Sequence, residues 1–285
     1  MKISDYFKVN PKDLNCVDVD SSTDIKFYLD PTKIALCKNK YFRGDIASKK
    51  IEDFFETLLN LKEQGKTKEI KDILNDIHEI NDTHLGNSKV KSKGHGPKVI
   101  PLQNSISKIY DVESKVEKEI SLLTLPIMFG LFVEDFGPDS YSDIITSIIY
   151  EELEEYTEKI LGKNHQHAIH LDIPDRKSWN ENTHSWQKIN KKYFSINGDR
   201  IVFVPKKIAV RNHSLSSVSY VNSIVLKFVK KSWEKKHGVK TTQKKMAALV
   251  KSEYPQMRSK QIAYMIGLKN PREFLQFANR TSKII

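Results

Sequence analysis

From Lys206 to Ile285 the chain sets 18 Lys and Arg against three acids, Glu234, Glu253 and Glu273. That is a net +15, and because the whole chain is +11, the first 205 residues carry −4. Cations at this density cannot be gathered into an interior, since an unpaired buried charge costs far more than apolar contacts return. The segment must fold as small amphipathic elements that keep their cations in water, and a polyanion is the partner such a surface attracts. A solvated Lys-rich surface with no partner is the plainer reading of the same residues.

The hydrophobic pattern changes near the same place. Residues 24 to 29 read as a strand, and Ile51, Phe54, Phe55, Leu58 and Leu59 recur at helical spacing, followed by a second apolar stripe at Ile70, Ile73, Leu74, Ile77 and Ile80. Residues 86 to 98, GNSKVKSKGHGPK, read as a loop. Ile109, Val112, Val116, Ile120 and Leu123 predict a helix, and LPIMFGLFVEDF predicts a buried strand ending in acids. A long helix is expected after Ser142 or Asp143 as its cap. RIVFVP, residues 200 to 205, is the last predicted strand.

Beyond Asn212 the pattern is helical and basic. Val221, Ile224, Val225, Phe228 and Trp233 mark one helix, and Met246, Ala247, Leu249 and Val250 another. After a break at Pro255 comes a short helix with Ile262, Ala263 and Met265, stopped at Gly267, and Pro271 opens a further one. The expected fold is therefore α+β: an α-rich body with a small central sheet over residues 1–211, then a helix-turn-helix-like bundle over 212–285. Phosphate contacts are expected from Lys244, Lys245, Arg258, Lys260, Lys269 and Arg272. A homodimer interface is the other use such a bundle would have.

A hydrophobic share of 39% and a charged share of 29% describe a globular chain. No run approaches the roughly 18 apolar residues of a membrane span, and MKISDYFKVNPKD lacks the apolar core of a secretory signal. With only Cys16 and Cys37, no disulfide framework or four-cysteine zinc site is available, so a reducing cytoplasm is the expected compartment.

The body holds the candidate chemistry. Glu134, Asp139 and Asp143 lie in FVEDFGPDSYSD, where carboxylates at a strand end are placed to hold Mg²⁺ or Mn²⁺, hard cations that prefer oxygen ligands and activate water beside a phosphate. Turn and helix-cap roles account for the same aspartates without a metal. In the 86–98 loop, Lys89, Lys91 and Lys93 can surround phosphate oxygens and His95 can act as acid or base, with Glu79 and His84 at the loop's base. The loop is not a Walker motif, because Lys93 precedes Gly94 and no Ser or Thr follows it. Lys206 is a further candidate for neutralising phosphate charge. Asp30 with Asp175, Arg176 and Lys177 can be fitted to a restriction-nuclease pattern, although 36 acids and 47 cations produce such fits by chance. HQHAIH, with His165, His167 and His170, matches no standard zinc spacing.

The succession YLDP (28 to 31), DFFETLL (53 to 59), THLGNSK (83 to 89), GHG (94 to 96), EDFGPDSYSD (134 to 143), EYT (155 to 157) and FVPK (203 to 206) resembles an uncharacterised family of bacterial and mobile-element proteins. The resemblance covers roughly residues 20 to 210 and implies no reaction. It implies that the polar motif residues matter and that phage defence or mobile-element biology is the setting. The expected function is thus a DNA-binding, Mg²⁺-dependent nuclease acting on double-stranded DNA. The alternatives are a non-catalytic DNA-binding regulator or sensor, and an RNA-binding protein or ribonuclease.

Overall fold

A computed structural model describes residues 1–77, 80–86, 99–113, 131, 137–162, 169–170, 176–189, 193–212 and 220–269. In chain order the described elements are α1 (Ile3–Phe7), β1 (Tyr28–Leu29), α2 (Pro31–Ala35), α3 (Gly44–Glu63), α4 (Thr67–Asn75), a 3₁₀ turn (Asn81–Thr83), α5 (Val99–Glu113), α6 (Pro138–Ile148) and α7 (Tyr150–Leu161). Then come β2 (Ile169–His170), β3 (Lys177–Asn180), β4 (Ser185–Lys188), β5 (Tyr193–Ile196), β6 (Asp199–Ile201) and β7 (Ala209–Val210), followed by α8 (Leu226–His237), α9 (Gln243–Glu253) and α10 (Ser259–Lys269). The fold is α+β. Its strands form three small antiparallel sheets, β1 with β7, β3 with β4, and β2–β5–β6. Two compact units result: Met1–Val99 with Gly137–His213, and Ile100–Phe136 with Ser214–Ile285.

In the first unit, α3 runs without an internal Gly or Pro and buries Ala47, Ile51, Phe54, Phe55, Leu58 and Leu59. This 3–4 residue spacing gives one apolar stripe. Against it lies the β3–β4 hairpin, whose Trp179 and Trp186 rings sit 5.0 and 5.6 Å from the Phe54 ring. Both indoles satisfy their polar edges, Trp179 Nε1 donating to Asp53 Oδ2 at 2.6 Å and Trp186 Nε1 to the Ile73 carbonyl at 2.8 Å. A large ring can be buried here because its one donor is paired. A second aromatic cluster joins Tyr6 and Phe7 of α1 to Phe194 and Phe203. Each fully buried Phe of this kind is worth about 1.5–3 kcal/mol over its exposed state.

Several boundaries differ from the sequence expectation. The helix expected to begin at Ser142 or Asp143 starts at Pro138, with Gly137 as its N-cap. Pro138 occupies the first turn, where its missing N–H costs nothing. Ser142 lies inside the helix and accepts from the Leu29 N–H at 2.9 Å, tying α6 to β1. The expected single helix is two, broken at Ile149. α4 ends at Asn75 rather than near Ile80, and Gly267 lies within α10 rather than stopping it. Glycine costs a helix only about 1 kcal/mol, which the neighbouring buried residues offset. Of the run predicted as a buried strand, Leu131 is buried but helical, a choice that period alone leaves open for short apolar runs.

In the second unit, a π-turn at Val221–Val225 leads into α8, which Gly238 closes in a left-handed conformation. Thr242 then caps α9, its hydroxyl accepting from the Lys245 N–H at 3.2 Å. The Gln243 amide donates to the Asn222 carbonyl, fastening the start of α9 to the π-turn. Met246 and Val250 are the buried positions of α9, and Ile262, Ala263 and Ile266 those of α10. Tyr264 of α10 reaches α5, donating to Asp111 Oδ2 at 3.3 Å beside Lys108.

Candidate functional site

The first unit contains a polar cleft of about 230 Å³ lined by Ser22, Thr23, Asp24, Asn81, Asp82, His84, Asp199 and Arg200. Its floor is a buried network. Asp82, 5% exposed, receives a forked pair from Arg176, with Nε to Oδ2 at 3.0 Å and Nη2 to Oδ1 at 2.8 Å. It also accepts the Tyr150 hydroxyl at 2.5 Å and lies 3.3 Å from Arg200 Nε. Arg200 in turn pairs with the buried Glu154. Burial, and then the Asp82 carboxylate, push the Tyr150 hydroxyl well above its usual range, so it stays a donor. The Asp82 hydrogen bond likewise raises the already strong basicity of Arg176.

His84 stands at the cleft wall in a left-handed conformation, φ 50°. Its Nε2 donates to the Arg200 carbonyl at 3.2 Å, and Nδ1 lies 3.9 Å from Asp24 Oδ1, outside hydrogen-bond reach. Two residues on, Gly86 adopts φ +145°, and a Cβ there would meet Asp139 Oδ1 at 3.0 Å and Asp24 Oδ2 at 3.8 Å. Glycine is required at this point both for its backbone and for the carboxylates beside it. The Gly of THLGNSK thus has the Asp24 and Asp139 carboxylates beside it.

The predicted site residues fall into separate places. Asp139 and Asp143 lie one turn apart on α6, half-buried. Lys206 Nζ donates to the Pro11 carbonyl at 2.8 Å. Asp30 caps α2 through Thr32, and Lys177 pairs with Asp76 at 2.8 Å. Glu134, His95, Glu79, Lys89, Lys91, Lys93, Asp175 and Arg272 lie outside the described residues, as do His165 and His167. Among the described residues no three His, Cys, Asp or Glu side chains assemble as a metal site. The sequence reading missed Asp24, Asp82, Asp199 and Arg200. Only the THLG motif pointed near them.

A second buried pairing joins α3 to α7. Lys50, 4% exposed, lies 2.9 Å from Glu151 and 2.8 Å from Glu152. Burial alone would lower its basicity, but the two carboxylates hold the ammonium above its ordinary range.

The second unit orients its charge the other way. On α8, Lys227, Lys231 and Lys235 are all exposed and recur at i, i+4 and i+8, one continuous stripe. Like charges four residues apart disfavour an isolated helix by a few tenths of a kcal/mol per pair. On α9, Lys244, Lys245 and Lys251 are exposed, as is Arg258 in the turn before α10, while Lys260 is half-buried. Glu234, one of the two acids on α8 and α9, is drawn in by the Thr241 N–H at 2.8 Å. The α8 stripe was legible from spacing alone, yet the sequence reading passed over it.

These features define an α+β protein with a charge-paired first unit and a second, compact unit whose described helices are cationic. Residues 7–216 match the family model described as Domain of unknown function (DUF8370), and the chain belongs to that family. The match takes in every motif of the YLDP-to-FVPK succession and leaves α8, α9 and α10 outside it. No curated protein and no solved structure matches the chain. No described helix is long and apolar enough to cross a membrane.

Proposed function

We propose that this protein binds nucleic acid in the cytoplasm through the cationic faces of α8 and α9, in phage defence or mobile-element biology. The observation that carries the reading is the Lys227–Lys231–Lys235 stripe. A helix that aligns like charges in this way gives up stability that a polyanion returns on binding. Neutralised phosphates release counterions, so binding of this origin weakens steeply with salt. The test is the affinity of the full chain for labelled DNA across salt concentrations. K227E/K231E/K235E is expected to lose about 100-fold at low salt and to flatten the log–log salt slope by about three. Unchanged affinity and slope in that variant exclude the α8 stripe.

Cleavage is a separable part of the proposal. Asp139 and Asp143 lie one turn apart on α6, and the Asp24 and Asp139 carboxylates both lie beside Gly86. The reading of a Mg²⁺- or Mn²⁺-dependent nuclease rests on the carboxylates of the FVEDFGPDSYSD run, with Asp139, Asp143 and Glu134 as the metal ligands, although among the described residues no three such side chains already stand together as a metal site. Strand scission that requires the metal and disappears in Asp143→Ala, with DNA affinity retained, is the expected result. Intact strands after long incubation with either metal would leave a non-catalytic DNA-binding regulator.

A further inference from the structure

We propose that the polar cleft of the first unit is a binding site for a small molecule bearing a protonated primary amine, held between His84 and Asp24. The site is separate from the cationic helices and does not depend on the nucleic-acid reading.

Three segments of chain build the cleft, and backbone hydrogen bonds fasten them to one another. Val202, just after β6, donates its N–H to the Asp82 carbonyl at 2.7 Å, which ties the hairpin to the 3₁₀ turn. The loop carrying Ser22, Thr23 and Asp24 is tied to the same turn through the Ile25 N–H, 3.0 Å from the His84 carbonyl, and the Gly86 N–H returns to the Ile25 carbonyl at 2.9 Å. Walls held this way keep their spacing, so the cavity is formed before a ligand arrives. At about 230 Å³ it falls below the roughly 300–1,000 Å³ of drug-sized sites, which selects a small ligand.

His84 supplies the atom that identifies the ligand. The residue is only 9% exposed, and its Nε2 lies 3.2 Å from the Arg200 carbonyl. A carbonyl oxygen only accepts, so Nε2 carries the proton, and in the neutral ring Nδ1 is then an acceptor. Nδ1 stands 3.9 Å from Asp24 Oδ1, and both residues line the cleft. Two acceptors cannot bond each other. One donor atom about 2.8 Å from each bridges them at an angle of roughly 90°. An ammonium nitrogen, with three hydrogens spread about a single atom, meets both.

Charge favours a cation over water or an alcohol in that place. The lining holds the carboxylates of Asp24, Asp82 and Asp199 and one guanidinium, Arg200, which is itself drawn to Asp82 and Glu154. A cleft lined by more carboxylates than guanidinium attracts a positive group. The Ser22 and Thr23 hydroxyls and the Asn81 side chain add further acceptors, so a short aliphatic diamine, with donors at both ends, suits the lining better than a monoamine.

The experiment is calorimetric titration of the full chain with putrescine, the ionic strength held constant with NaCl. Saturable binding at one site per chain is expected. Asp24→Asn keeps the side-chain shape while removing its charge and should weaken binding at least about tenfold. His84→Asn, which tolerates the left-handed backbone, should do the same. Glu69→Gln removes an equal charge from the exposed surface of α4, and its affinity should stay within about twofold of the parent. Matching thermal midpoints show that the variants fold. In the parent, which needs no substitution, the ¹⁵N resonance of His84 Nδ1 should move with saturation while that of Nε2 stays in place. Absence of saturable heat, undiminished affinity in Asp24→Asn, a stationary Nδ1 resonance, or tighter binding of inorganic phosphate or MgCl₂ than of putrescine would overturn the assignment. None of these outcomes touches DNA binding, which the titration does not read.

Discussion

The two units treat charge in opposite ways. In the first, carboxylates and cations are drawn inward and matched: Asp82 with Arg176 and Arg200, Glu154 with Arg200, Lys50 with Glu151 and Glu152. In the second, lysines line the outer faces of α8 and α9, and Glu234 accepts a backbone N–H and lies 3.9 and 4.0 Å from Lys230 and Lys240. Matched, buried charges make a rigid and pH-sensitive frame, because removing one partner strands the other. Like charges aligned on an exposed helix face cost the fold a few tenths of a kcal/mol per pair and leave it tolerant of substitution. Their energy is available only to a partner.

The contrast can be broken most forcefully at Asp82. Asp82→Ala leaves the Arg176 guanidinium and the Tyr150 hydroxyl facing an empty position, and a cost of about 3–5 kcal/mol is expected. Urea unfolding monitored by tryptophan fluorescence reads it, since Trp179 and Trp186 belong to the same unit. A loss below about 1 kcal/mol would mean that the network is a surface pairing in effect, and the comparison would fail.

A smaller effect sharpens the other side. Thr242→Ala removes the cap of α9 and should cost about 1 kcal/mol, confined to the helical unit. Hydrogen exchange should show faster opening of α9 with protection of α3 and α7 unchanged. Loss of protection in both units together would contradict the division of the chain into two units.

The smallest expected effect concerns pH. The Ser22 hydroxyl, followed by the N-terminal ammonium, holds the Asp20 carboxyl well below the usual carboxylate range. Its folded value lies under the unfolded one, so its contribution is complete above about pH 4 and is lost as pH falls further. Thermal melts from pH 6 down to pH 3 should show a slightly shallower acid loss in Asp20→Asn than in the parent. Superimposable curves would remove this residue from the acid-sensitive set.

Legibility in the sequence followed the range of the interaction. The α3 stripe could be read directly, because Ile51, Phe54, Phe55, Leu58 and Leu59 are neighbours on one helix. The start of α6 could not, since Asp143 and Ser142 look like caps until Ser142 is seen serving β1 from 113 residues away. The Asp82 network was invisible for the same reason, with Tyr150 and Arg176 lying 68 and 94 residues along the chain. Asp139 was singled out as a metal ligand while Asp24 was not, because Asp24 comes to lie beside Gly86 through the pairing of Ile25 with Leu85, a contact distant in sequence.

What the sequence determined by itself was the separation of charge and the apolar stripe of helices such as α3. Both are sums over nearby residues and survive any arrangement of the rest. Only the tertiary structure decided which carboxylate meets which guanidinium, where the 230 Å³ cleft opens and which polar groups line it. Those outcomes depend on closing long loops of chain, and many closures are compatible with the same local pattern.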